Sequence, residues 1–160
     1  MGYSASVLLS DPDETDRLGR LIAASLQPGD TVLLEGQIGA GKTHLARAIV
    51  QALHASAGQP VVEVPSPTYT LVQTYQLPEV GVWHADLYRI GDSSEVAELG
   101  LDEAIGRDIV LLEWPERMEF SPPEALHVKL SVDGIGRRAS LTSASERWKA
   151  LADIGEQIDA

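Results

Sequence analysis

The 160-residue chain contains no cysteine and no asparagine. Without cysteine there is no disulfide framework, no thiolate zinc site and no cysteine nucleophile, which fits a reducing compartment. Long apolar runs are missing as well: stretches such as Ile109 to Leu112 are far too short to cross a bilayer. Met1-Gly2-Tyr3-Ser4 lacks the basic start and apolar run of a secretory signal, so a cytoplasmic protein without membrane contact is expected. Positive charge is scarce, with 12 Lys+Arg against 24 acids and a net charge of −12. The averaged field repels phosphate backbones, so any nucleic acid is expected to be handled through a partner.

What is present suffices for one sizeable core: 44% of the residues are hydrophobic, and 1–160 is expected to form a single domain. Asp11-Pro12-Asp13-Glu14 reads as a helix start, with Asp11 as N-cap, proline in the first turn and acids at the positive end of the dipole. Leu18, Leu21, Ile22, Ser25 and Leu26 continue at helical spacing until Gln27-Pro28-Gly29-Asp30. Thr31–Glu35 reads as a buried parallel strand, and Leu45, Ala48, Ile49, Ala52 and Leu53 mark a second helix. Strands are expected at Val61–Val64, Thr70–Tyr75, Val82–Leu87, Ile109–Glu113, Leu126–Val132 and Arg138–Thr142, with short helices at Ser94–Leu99 and Asp102–Ile105. Ser143 to Glu146 fits a capping box before a last helix with Trp148, Leu151, Ile154 and Ile158 on its apolar face. The alternation predicts an α/β fold with a mostly parallel or mixed central sheet flanked by helices.

Between the first buried strand and the second helix, Gly36-Gln37-Ile38-Gly39-Ala40-Gly41-Lys42-Thr43 fits GxxxxGK[ST], the signature of the P-loop NTPase fold. Glycines let the backbone curl so that its N–H groups face phosphate oxygens, the helix dipole adds positive potential, Lys42 reaches the outer phosphates and Thr43 is placed for magnesium. In a chain this acidic, such local positive potential is what an anionic ligand requires. Guanine readers of this class commonly use Asn-Lys-x-Asp, and a chain without asparagine has none, so ATP is preferred over GTP.

Magnesium at such a site calls for an acid at the end of a neighbouring buried strand. Ile109-Val110-Leu111-Leu112-Glu113 supplies one, and His84-Ala85-Asp86-Leu87-Tyr88-Arg89 supplies a second. Asp86 could orient the attacking water, hold magnesium through water or respond to the γ phosphate; spacing does not separate these roles. His84 is read as structural. Pro65-Ser66-Pro67-Thr68-Tyr69-Thr70 is a stiff loop that either presents Thr68 to the γ phosphate or is a plain hydroxyl-rich turn. Trp114 and Pro115 could pack beside the nucleotide or close the core, with packing favoured, and Arg137 and Arg138 offer either a phosphate or partner contact or a solvated strand end, the reading preferred on sequence alone.

In this order, GQIGAGKT, SPTYTLVQTY, HADLYRI, ELGLDEAI and IVLLEWPER resemble the TsaE (YjeE) family of bacterial ATPases over roughly Asp11 to Leu141. The resemblance implies ATP hydrolysis in support of a TsaB–TsaD complex that forms threonylcarbamoyladenosine in tRNA, with tRNA met only through those partners. It implies that Gly36 to His44 contact the nucleotide, that Lys42 holds phosphates, and that Thr43 and Glu113 hold magnesium. Asp86 and Thr68 would belong to the catalytic or switch region, Asp11 and Thr15 would lie toward the base, and Arg137 matches the family's late arginine in one of two alignments. His44 departs from the family's usual second threonine and is read as a tolerated exposed substitution. A small-molecule P-loop kinase and a nucleotide-dependent interaction module without turnover are the competing functions.

Overall fold

A computed structural model describes residues 2–68, 70–92, 94–118, 121–151 and 153–159. Its seven strands are β1 (Tyr3–Leu9), β2 (Thr31–Glu35), β3 (Val72–Gln76), β4 (Gly81–Asp86), β5 (Ile109–Glu113), β6 (Leu126–Asp133) and β7 (Gly136–Ser143). They form one sheet in the order β1-β7-β6-β2-β5-β4-β3. β6, β2, β5 and β4 run parallel, while β1 and β7 on one side and β3 on the other pair antiparallel. The helices are α1 (Pro12–Ser25), α2 (Lys42–Ser56), α3 (Ser94–Glu98), α4 (Leu101–Ala104) and α5 (Ile154–Asp159), with 3₁₀ turns at Pro115–Arg117 and Glu146–Leu151. The expected mixed α/β architecture is therefore present.

Strands covered on both faces must be apolar on both. In β2, Val32 and Leu34 pack toward Leu18 and Ile22 of α1 and Leu45 and Ile49 of α2, whereas Leu33 joins Val96, Leu101 and Ala104 on the other side. β5 divides the same way, Ile109 and Leu111 to the first cluster, Val110 and Leu112 to the second. This explains their unbroken apolar runs. On β6, Leu126, Val128 and Leu130 are buried while Lys129 and Ser131 are exposed, the alternation of a sheet region covered on one face only. α1 starts as expected: Asp11 Oδ1 accepts the Glu14 N–H at 2.9 Å, and Pro12 occupies the first turn. A Cβ on Gly19 would stand 2.5 Å from Ala48 Cβ, so α1 and α2 approach as closely as glycine permits.

Several expectations are corrected. β1 goes unread in the sequence: only Tyr3, Val7 and Leu9 are buried, with exposed Ser4 and Ser6 between the first two and exposed Leu8 between the last two. Val61–Val64 forms no strand: Gln51 Nε2 donates to Val62 O at 3.2 Å and Arg47 Nε to Val64 O at 3.1 Å, so α2 side chains take carbonyls that a ladder would need. β3 begins at Val72 and not Thr70, since Leu71 sits at φ 69 and turns the chain. Tyr69 of that loop lies outside the described residues. The last helix is replaced by a 3₁₀ turn followed by α5. Ser143 Oγ accepts the Ser145 N–H and Ser145 Oγ accepts the Arg147 N–H, two successive serine turns in place of a capping box. Trp148, Leu151, Ile154 and Ile158 are nonetheless buried as expected. Arg147 fastens this segment, donating to Ser25 O at 2.7 Å and to Asp30 Oδ1 at 3.0 Å. Among the described residues no helix is long and apolar enough to cross a membrane.

Replacing the fully buried Leu111 by alanine should lower the unfolding free energy by about 2–5 kcal/mol in urea denaturation. Val61→Ala, at a side chain 91% exposed and outside the sheet, should change it by less than about 0.5 kcal/mol. A large loss at Val61 would contradict the unpaired assignment of 61–64.

Candidate functional site

Register brings the strand ends together. Leu34 of β2 lies opposite Glu113 of β5, and Glu113 lies opposite Asp86 of β4. The carboxyl ends of parallel strands thus share one edge, where open α/β sheets place ligands. From β2 the chain turns through Gly36 to Gly41 into α2. Gly36 has φ 149, and a Cβ there would lie 2.5 Å from Leu130 O. Gly41, the N-cap of α2, has φ 106. Both positions demand glycine. Among the described residues no side chain caps α2, so the helix presents its first amides bare at its N-terminus.

Lys42 is buried, and its Nζ donates to Gly36 O at 2.5 Å and Gln37 O at 2.9 Å. The ammonium also stands 4.5 Å from the centre of the Trp114 ring. Burial pulls its pKa below the ordinary lysine value, against Glu113, Asp86 and Glu116, which pull it upward. Beside it, Thr43 Oγ1 lies 2.9 and 3.1 Å from the two oxygens of Glu113. Glu113 Oε2 lies 2.6 Å from His84 Nε2. Asp86 accepts from the Tyr88 N–H at 2.9 Å and from Thr68 Oγ1 at 3.2 Å, and Ser66 Oγ holds Thr68 at 2.7 Å.

A cavity of about 350 Å³ gathers Ile38, Gly39, Gly41, Lys42, Thr43, His44, Thr68, Asp86 and Glu113, closed on one side by Tyr88 and Trp114. A second cavity, of about 150 Å³, adjoins it across Gly41 and His44 and contains Asp11, Thr15, Ile135 and Arg137. Gly36, Gln37 and Ala40 instead border a hollow behind the loop with Lys129; the first two contribute to the site through their carbonyls. The catalytic, metal and nucleotide-binding candidates read from the sequence therefore lie on or around this one loop.

Three side chains have partners that the sequence does not show. Arg137 is half-buried and its Nη2 donates to Gly39 O at 3.1 Å, whereas Arg138 is exposed and pairs with Asp133. His44 keeps its side chain partly exposed, in line with the expectation, and its Nε2 lies 2.9 Å from Asp16 Oδ1 on α1. His84 is buried as a structural histidine would be, yet it touches Glu113 directly. Trp114, for which packing beside the nucleotide is one of two sequence readings, lines the site together with Tyr88. Tyr88 and Asp16 go unread as site residues; for Tyr88 the signal is available, because it closely follows a strand-end acid.

An α/β protein with a glycine loop entering a helix beside two strand-end carboxylates is the class this geometry defines. Residues 9–139 match the family model described as Threonylcarbamoyl adenosine biosynthesis protein TsaE. The tRNA threonylcarbamoyladenosine biosynthesis protein TsaE of Rickettsia conorii is 39% identical over 153 residues, covering 94% of this chain and 83% of the relative. That of Bacillus subtilis is 34% identical over 146 residues, covering 89% and 88%. The crystal structure of Bacillus subtilis YdiB superposes with a TM-score of 0.72 at 26% identity, covering 100% of this chain and 99% of the other. The chain belongs to the TsaE family of tRNA threonylcarbamoyladenosine biosynthesis proteins.

The lowered Lys42 pKa has a definite sign. A buried ammonium opposes folding below its folded-state pKa, and that opposition fades as pH rises from there toward the ordinary 10.5. Relative to Lys42→Met, the unliganded wild type should gain stability as pH rises toward the ordinary lysine value in paired urea titrations. The raised pKa values of Tyr3 and Tyr75 are common to both proteins and cancel. A wild type that loses ground to the variant over this range would contradict the assignment.

Proposed function

We propose that the chain is a single P-loop NTPase domain that binds ATP with magnesium (Mg2+) and hydrolyses it in the cytoplasm, in support of a TsaB–TsaD-type complex. tRNA is reached only through that complex, a reading that the net charge of −12 supports. The observation that carries this reading is the Thr43–Glu113 contact beside Lys42, at the mouth of a glycine loop whose helix amides have no side-chain cap.

The residues fit a magnesium–nucleotide pair. Thr43 and Glu113 converge on one point, while among the described residues no group of three His, Cys, Asp or Glu side chains could hold an ion unaided. Such a site takes its ion together with phosphate oxygens and waters, the coordination magnesium prefers. When bound, the ion neutralises charge on the phosphates. The α2 amides and Lys42 hold the phosphates, with Lys42 exchanging its Gly36 and Gln37 carbonyls for phosphate oxygens. Asp86, its two oxygens fixed by the Tyr88 amide and Thr68, would orient the attacking water. The adjoining cavity with Asp11, Thr15 and Arg137 receives the nucleoside, and the absence of asparagine favours adenine. Arg137, tied to Gly39 O, braces the loop between the two cavities.

Lys42→Ala should abolish ATP binding, whereas Glu113→Ala and Asp86→Ala should retain much of it and lose turnover by at least roughly 100-fold. Magnesium-dependent phosphate release, measured with and without purified TsaB and TsaD, is the assay, and the wild type should be stimulated by the pair. Normal hydrolysis by Lys42→Ala would overturn the site. Phosphate transfer only to an added small acceptor would point to a kinase, and ATP-dependent complex formation unchanged in Glu113→Ala without any release would point to an interaction module.

A further inference from the structure

The mechanism above gives His84 no part, although it is fully buried on β4 and meets the carboxylate that holds the ion. Strand alternation puts it there. Val82, His84 and Asp86 share the face of β4 turned toward α2, as Ile109, Leu111 and Glu113 do on β5. His84 pairs across the ladder with Leu111, so Glu113 is its diagonal neighbour. Its Nε2 lies 2.6 Å from Glu113 Oε2, and the two side chains are 0% and 2% exposed.

The partners of Glu113 are directional. Thr43 Oγ1 approaches both carboxylate oxygens, and His84 approaches Oε2 alone. A glutamate has several rotatable bonds, and Thr43 cannot hold it while itself turning to an ion. His84 can, because it is carried by β4 and not by the helix turn that carries Thr43. Its Nδ1 is buried and has no hydrogen-bond partner among the described residues. A proton there would be an unsatisfied buried donor, so the ring's donating N–H is the one on Nε2, aimed at Glu113.

We propose that His84 is a positioning residue: it fixes the Glu113 carboxylate so that, with Thr43, it receives the divalent cation of a bound nucleotide. This rests on the magnesium–nucleotide reading of the site. Side chains that orient a metal ligand are worth about 10- to 100-fold in metal affinity. The effect belongs to cation binding and not to the phosphate grip, which Lys42 and the loop supply.

Glutamine and asparagine separate position from mere polarity. The amide nitrogen of His84→Gln reaches about as far as Nε2, whereas that of His84→Asn stops near the place of Nδ1. Mn2+ binding to the full chain with ATP, followed by electron paramagnetic resonance, gives the half-saturating cation concentration. ATP affinity in chelator and the unliganded Tm are recorded alongside. His84→Asn should raise that concentration about 10- to 100-fold, and His84→Gln should stay within about threefold of wild type, with metal-free ATP affinity similar in all three. Equal Mn2+ dependence of the two variants, or a loss of metal-free ATP affinity that accounts for the whole effect, overturns the proposal. If the wild type binds no ATP at all, the nucleotide reading itself has failed and this inference falls with it.

Discussion

A hydroxyl on the first turn of α2 and a carboxylate at the end of β5 meet 2.9 Å apart, and the surrounding structure serves to bring them there. Thr43 can face β5 only because the chain leaves β2 through glycines that tolerate left-handed backbone and the close passage of Leu130 O. Glu113 can stand beside it only because β2 and β5 are parallel and in register, with Leu34 opposite Glu113. Both strands are buried on both faces, so their register is fixed by two cores at once. The site inherits its precision from that double burial.

The electrostatic arrangement solves a problem set by composition. A chain with twice as many acids as Lys+Arg must bind an anion in a region of local positive potential. Lys42, the α2 amides and Arg137 are concentrated around one loop, and the nearby carboxylates Glu113 and Asp86 are each held by hydrogen-bond donors. Lys42 is satisfied by the loop's own carbonyls and lies over Trp114. A buried cation is thereby kept in place and its partners remain exchangeable.

Much of this was legible in the chain itself. The glycine loop, the α1 cap and both strand-end acids follow local rules, and each lies where those rules put it. What escaped depends on tertiary partners. Val61–Val64 has the composition of a strand, but Arg47 and Gln51 on α2 claim its carbonyls. β1 has buried residues too sparse to stand out until β7 pairs with it. Arg137 looked solvated because its acceptor, Gly39 O, is 98 residues away in sequence. His84 was half visible: H-x-D puts both residues on one face of a strand, but nothing local shows that Glu113 lies diagonally across from it. Membership of the TsaE family was carried by motifs in order, which no single motif could have supplied.

The central claim is that a nucleotide's phosphates lie in the loop Gly36–Thr43 with their cation between Thr43 and Glu113. The most direct measurement is a crystal structure with a non-hydrolysable ATP analogue and Mn2+, in which anomalous scattering locates the ion. The account predicts one peak within about 2–2.5 Å of Thr43 Oγ1 and of a phosphate oxygen, with Glu113 on the ion directly or through one water. A peak remote from Thr43, or analogue density away from the loop, would contradict it.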